Sequence, residues 1–207
     1  MGVATAERRA TTATMAEVGA DAPTLCAGWV VRDLAAHLLI RDRRPDAAPG
    51  IVLRALAGHT RTVQQRFAAR PFAELLELLR SPPWYSPFAL PVLGELINAG
   101  EYLVHHEDVR RAQPGWQPRV ADTGRSAAAW RTLSAMGRLA YRGSPVGVRL
   151  DGGDGRLLVA SKRPSPVTLR ADPLELLLHA FGRDEVRIDF DGEPDAVATL
   201  TTLSRGL

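Results

Sequence analysis

Through the first two thirds of the chain apolar residues recur every third or fourth position, the spacing of one helix face, and prolines and glycines interrupt the pattern. The pattern predicts a first helix over Ala4–Val18 and then a loop, Gly19 to Gly28, containing Asp21, Pro23 and Cys26. A short second helix follows from Val31 to about Arg41, broken by Pro45–Gly50. A third is expected from about Ile51 to Ala69, with Val52, Leu56, Val63 and Phe67 on one stripe and Pro71 ending it. Phe72–Arg80 reads as a further amphipathic piece. The proline-rich segment Ser81–Pro91, with Trp84, Tyr85 and Phe88, reads as an ordered irregular loop. Pro91 suits the first turn of a long helix over about Val92–Ala112, closed by Pro114–Pro118. Asp122–Tyr141 is the last long helix, with Trp130, Leu133, Gly137, Ala140 and Tyr141 at helical spacing.

After Gly143 the period changes. Val146–Leu150 and Arg156–Ser161 are short β-type runs joined by Asp151-Gly152-Gly153-Asp154-Gly155, a hairpin turn with no helix behind it to make a phosphate site. Pro166–Arg170 can be a third strand, and Val186–Phe190 alternates like a half-buried one. Between them Asp172 and Pro173 supply an N-cap and a first helical residue for a helix through Phe181, which Gly182 can stop. Glu193–Leu203 can be a closing helix. The expected fold is mainly α: a helical bundle over residues 1–143, followed by a small α+β lobe over 144–207.

Composition narrows the function classes. A 207-residue chain with 45% hydrophobic and 24% charged residues can bury its own core, so it needs no disulfide staple. Cys26 is the single cysteine, which excludes an intramolecular disulfide and a Cys-rich zinc site and leaves His and carboxylates to hold any metal. The formal charge is +3, but the basic residues are interspersed with acids and do not form a stripe with aromatics, so no nucleic-acid partner is expected. No apolar run approaches the roughly 20 residues of a spanning helix, and Met1–Ala10 lacks a signal-type apolar core; a cytoplasmic protein without membrane association is the expectation.

The chemistry concentrates in two stretches. On a helical projection of Leu96–Asp108, Gly100, Leu103 and Val104 share a core-facing stripe with Leu93 and Leu96, and Glu101, His105 and Asp108 stand at its edge. His106 projects to the opposite side, away from the core. In Trp29–Leu39, His37 lies inside the apolar arc between Leu34 and Ile40, with Asp33 one turn earlier. Inward polar groups need partners. Two imidazoles and a carboxylate can supply three ligands of a zinc ion that keeps its fourth position for water, and facing helices of a bundle commonly build such sites. Asp33 or Asp108 could fix the tautomer of a ligand His. Spacing alone equally allows a core His37 and an ordinary i, i+4 pair on the later helix.

The form Trp29-x-x-x-Asp33-Leu34-x-x-His37-Leu38, combined with Glu101-x-x-x-His105, resembles the DinB-like metal-binding four-helix bundle of mycothiol-dependent maleylpyruvate isomerases. Leu25-Cys26-Ala27-Gly28-Trp29, Arg41–Asp46 and Val104–Arg111 are similar to a group of metal-binding relatives of that enzyme. The resemblance covers most of the chain and implies a small C-terminal domain similar to sterol-carrier proteins. It implies metal ligands at His37, Glu101 and His105. One departure is Val30, where the family often has a Ser or Thr that caps the second helix; Asp33 is then left with a favourable dipole interaction there and a role beside the ligands.

Two functions follow from these features. One is a thiol-dependent transferase or isomerase, in which a divalent metal, zinc by expectation, activates mycothiol or another small thiol against a small electrophilic substrate. Arg41 or Arg110 could then hold a substrate carboxylate, although each also reads as a solvated surface group. The other is a non-enzymatic module with a structural or sensory ion and a C-terminal lobe that binds a ligand or partner. Elsewhere, His59 follows the third helix's apolar stripe and could enter a pocket, His179 reads as structural, Cys26 as an inert, small half-buried residue ahead of a reactive thiol, and Trp29 as a core anchor. Trp84, Tyr85 and Phe88 read as packing beneath their loop or lining a pocket mouth.

Overall fold

A computed structural model describes residues 2–86 and 93–205. They form two compact units, Met1–Gln117 and Pro118–Leu207, each with its own interior.

The first unit contains α1 (Val3–Val18), α2 (Val31–Arg43), α3 (Ala57–Ala68), α4 (Phe72–Arg80) and α5 (Leu93–Arg111). Helix α1 packs along α5 and on α4, while α2 packs on α3 and α4. Every residue of α2 from Leu34 to Asp42 is buried, so its apolar residues fill the core with Met15, Leu75, Leu79 and Tyr102. A helix buried on all sides must also bury its polar residues, here His37, Arg41 and Asp42, and each needs a partner.

The start of α2 resolves the missing Ser or Thr. Asp33 Oδ2 accepts the Val30 N–H at 3.2 Å, which is half of a capping box and more than a dipole contact. Val30 has no side-chain oxygen for the other half. Asp33 N–H turns to the Val30 carbonyl at 3.0 Å, and the loop takes the first two N–H groups of the helix: Val31 N–H donates to Ala22 O and Arg32 N–H to Ala20 O, each at 2.9 Å. Asp33 is therefore occupied at the helix end.

Two expectations in this unit change. The third helix begins at Ala57 because Pro49 and its neighbours turn the chain through two short 3-10 segments, Ala48–Ile51 and Arg54–Leu56. Val63 and Phe67 are buried as expected, but Val52 and Leu56 are exposed and do not extend their stripe. On α5, His106 is buried, because α1 covers the face that the projection assigned to solvent. Its Nδ1 pairs with Glu7 at 3.0 Å and its Nε2 with Thr14 Oγ1 at 3.0 Å. Beside it, the Arg8 guanidinium binds Asp42 and the Leu79 carbonyl, and the Tyr102 hydroxyl donates to Asp42 at 3.2 Å.

The second unit holds α6 (Thr123–Ala140), β1 (Val148–Asp151), β2 (Leu157–Ser161), β3 (Val167–Arg170), α7 (Pro173–Ala180), β4 (Asp189–Asp191) and α8 (Pro194–Thr201). The sheet order is β2-β1-β3-β4, with β1 antiparallel to β2 and parallel to β3, and β4 antiparallel to β3. The strand period predicted the hairpin, and its turn is closed by Gly152 N–H to Arg156 O and Arg156 N–H to Gly153 O, with Gly153 and Gly155 at positive φ. The last strand is shorter than its alternating pattern, covering only Asp189–Asp191. Helix α6 packs on α7 and β2, so it belongs to this unit although its long helical period reads as part of the bundle. The division thus falls at Gln117/Pro118, whereas the change of period places it near Gly143. Asp172 caps α7 through Leu174 N–H and accepts from Ser126 Oγ of α6 at 2.7 Å.

Candidate metal centre

Helix α2 brings His37, and α5 brings Glu101 and His105 one turn apart, to a common point. One donor atom from each of the three side chains lies within 4.8 Å of the others. Glu101 Oε2 stands 3.1 Å from His105 Nε2. The imidazoles of His37 and His105 meet edge to face with centroids 5.3 Å apart, and the Trp29 ring centroid lies 5.2 Å from that of His37. Tetrahedral zinc ligands at about 2.0–2.2 Å stand roughly 3.3 Å from one another. The set therefore needs only side-chain adjustment to hold a divalent ion, and its N, N, O chemistry fits one.

The electrostatics suit ligands. Burial, with neighbouring His105 adding to it, pushes His37 down to about 3, so its imidazole is neutral and offers a lone pair. Burial alone would raise Glu101, but the hydrogen bond to His105 and the Arg41 guanidinium outweigh it and bring the carboxyl down to about 2. The Arg41 Nε lies 3.5 Å from Glu101 Oε1. Burial works against charging His105, yet hydrogen bonds to Asp108, Cys26 and Glu101 raise it well above the ordinary histidine value. An ion at Nε2 therefore competes with a proton there.

The remaining candidates sort by position. Asp108, fully buried, sits 2.8 Å from His105 Nδ1 and can fix its tautomer; Asp33 is engaged by Val30. Of the two arginines only Arg41 reaches the site, and it is buried at 5% exposure where the sequence reads a surface group. Arg110 is tied to Glu107 and the Gln117 carbonyl. His59 is exposed and pairs with Asp46, because α3 turns that face outward. His179 is buried in α7, where it pairs with the Tyr141 hydroxyl. Trp84 is almost fully exposed, with Tyr85 edge-on to it at 5.9 Å, so neither packs into an interior; Phe88 and Pro91 lie outside the described residues.

Cys26 is half-buried as expected, but sequence reasoning missed its place beside the site. Its Sγ lies 3.2 Å from Asp108 Oδ2 and 4.0 Å from His105 Nδ1, a second group of possible metal donors. The missing signal is the Leu25 N–H to Asp108 O hydrogen bond at 3.0 Å, which fastens the loop to α5 and has no sequence signature.

No family model matches the sequence, and no curated protein matches it. Among solved structures the chain is similar to the crystal structure of the mycothiol-dependent maleylpyruvate isomerase, with a TM-score of 0.53 and 18% identity over 92% of this chain and 91% of that one. At this identity the likeness is one of fold: an α-rich architecture with a small α+β part. Among the described residues no helix is long and apolar enough to cross a membrane.

Proposed function

We propose that the protein binds a divalent metal, zinc by preference, through His37, Glu101 and His105, and uses it to activate a low-molecular-weight thiol against a small electrophilic substrate. The observation that supports this reading is the convergence of those three donors, from helices far apart in sequence, to within 4.8 Å. When bound, the ion supplies a Lewis acid that favours the thiolate form of a coordinated thiol.

The chain's own residues prepare for that chemistry. His37 stays neutral because burial disfavours its charged form. Asp108 holds the Nδ1 edge of His105, which turns Nε2 toward His37 and Glu101. Arg41 sits against Glu101, and its buried guanidinium can also accept an anionic group of a thiol or substrate in two-pronged geometry. Trp29 shields His37 with its ring. The fold neighbour, a mycothiol-dependent maleylpyruvate isomerase, suggests mycothiol as the first thiol to offer.

Two measurements test the reading. Elemental analysis of untagged protein should find stoichiometric zinc that is lost in His105→Ala. The metal-loaded protein should then consume an unsaturated electrophile only when a small thiol is supplied. Metal without any thiol binding or turnover would leave a structural or sensory ion; native protein with neither metal nor loss of stability would remove the site.

A further inference from the structure

The proposed function uses one nitrogen of His105. Its Nε2 faces Glu101 and His37. Its Nδ1 faces the other way, to Asp108 Oδ2 at 2.8 Å and Cys26 Sγ at 4.0 Å, and those two atoms are 3.2 Å apart. Neither Cys26 nor Asp108 belongs to the first donor group, and neither His37 nor Glu101 to the second. The ring thus has a different donor set at each edge.

The second set is built into the backbone. Leu25 N–H bonds the Asp108 carbonyl, and the Gln113 side chain, just past α5, donates to the Pro23 carbonyl at 3.1 Å, so the loop is fastened at two points just before the thiol. Within the loop, Cys26 N–H donates to Thr24 Oγ1, whose hydroxyl donates to Trp29 O, and Pro23 bridges Val30. Donors held by such supports lose little freedom on binding a cation. Sulfur, imidazole nitrogen and carboxylate oxygen at 2.8–4.0 Å are close to the roughly 3.3–3.6 Å separations of ligands sharing one tetrahedral ion.

We propose that Cys26, Asp108 and the Nδ1 atom of His105 form a second cation site, for a thiophilic divalent ion such as zinc or cadmium, back to back with the His37–Glu101–His105 set. The thiolate makes this site softer than the first. With an ion already held at Nε2, filling this set would release two protons to solvent, one from the Cys26 thiol and one from Nδ1, and would leave His105 as an imidazolate between the two sets. The site shares His105 with the function proposed above, so its test must separate the two.

Because Cys26 is the single cysteine, any thiolate-to-metal charge-transfer band in thiol-free buffer must come from it. Full-length apo protein titrated with cobalt(II) should develop that near-ultraviolet band, and cadmium should displace the cobalt responsible. Cys26→Ala should bind one equivalent fewer and lack the band while keeping the equivalent held by His37, Glu101 and His105. His37→Ala should keep the band. A saturated wild-type protein without the band overturns the inference, as does an unchanged equivalent count in Cys26→Ala. Loss of the band in His37→Ala also overturns it, because the thiolate then serves the first ion. Failure of the first site looks different: Cys26→Ala would then bind no cobalt at all.

Discussion

The Oδ2 atom of Asp108 lies 2.8 Å from Nδ1 of His105, three residues earlier on the same helix, and the carboxylate is wholly buried there. Helical spacing delivers the contact, since residues three apart share a face. It decides which nitrogen of His105 turns toward His37 and Glu101. The ligand geometry therefore depends on a residue outside the His37–Glu101–His105 set.

Replacing that carboxylate by an amide keeps the shape and removes the charge. In a Cys26→Ala background, Asp108→Asn should weaken zinc binding at the first set by about 10- to 100-fold, the usual effect of losing a histidine's outer partner. Competition against a chelator of known affinity measures it. An unchanged affinity would show that Asp108 does not orient the ligand.

Metal should stabilise the fold by mass action. Zinc at a free concentration 100 times its dissociation constant adds about 2.7 kcal/mol to the unfolding free energy. Thermal melting of the first unit should shift upward with zinc and return with chelator. His37→Ala combined with Cys26→Ala should abolish the shift.

The pair Arg8 and Asp42 is buried in the first unit, with Asp42 also accepting from Tyr102. Arg8→Leu leaves a buried carboxylate without its cation and should cost about 3–5 kcal/mol in urea unfolding. Adding Asp42→Leu should recover part of that loss, because the second change removes the stranded charge. Equal losses in the single and double variants would contradict this account.

His179 governs the acid limb of the second unit. Burial, with Arg205 adding to it, lowers its value to about 3, against an ordinary value near 6.5. Between those values the unfolded chain binds a proton that the folded one refuses, so stability falls as pH drops from about 6.5 toward about 3. One such group gives a slope of up to about 1.4 kcal/mol per pH unit. Urea unfolding at pH 7 and pH 5 should reveal it, and His179→Leu should flatten it. That variant should also lose about 1–3 kcal/mol at pH 7, because the Tyr141 hydroxyl loses its 2.6 Å partner.

The parts legible in sequence are those set by local periodicity. The ranges of α1, α2, α4, α5 and α6 follow from apolar spacing and from Pro and Gly, and the β1–β2 hairpin follows from its turn residues. The inward positions of His37 and His105 follow from the same projection. What failed depends on partners. His106 projects outward on α5 alone, and only the packing of α1 buries it. Val52 reads as internal because the pattern starts the third helix at Ile51 instead of Ala57, and His59, inside the observed helix, faces outward beside Asp46. The packing of α6 on α7 and β2, the burial of Arg41 and the approach of Cys26 to Asp108 are contacts between distant segments, which no window of neighbouring residues encodes.

The polar pairs between α1 and the rest of its unit have a further consequence. Glu7 meets His106, Thr14 meets the other nitrogen of the same ring, and Arg8 meets Asp42. Sliding α1 by one turn, about 5.4 Å, would preserve much of its greasy contact but strand all three at once. These contacts act as a vernier: they admit a single alignment of α1, and through His106 they hold in place the helix that carries Glu101 and His105.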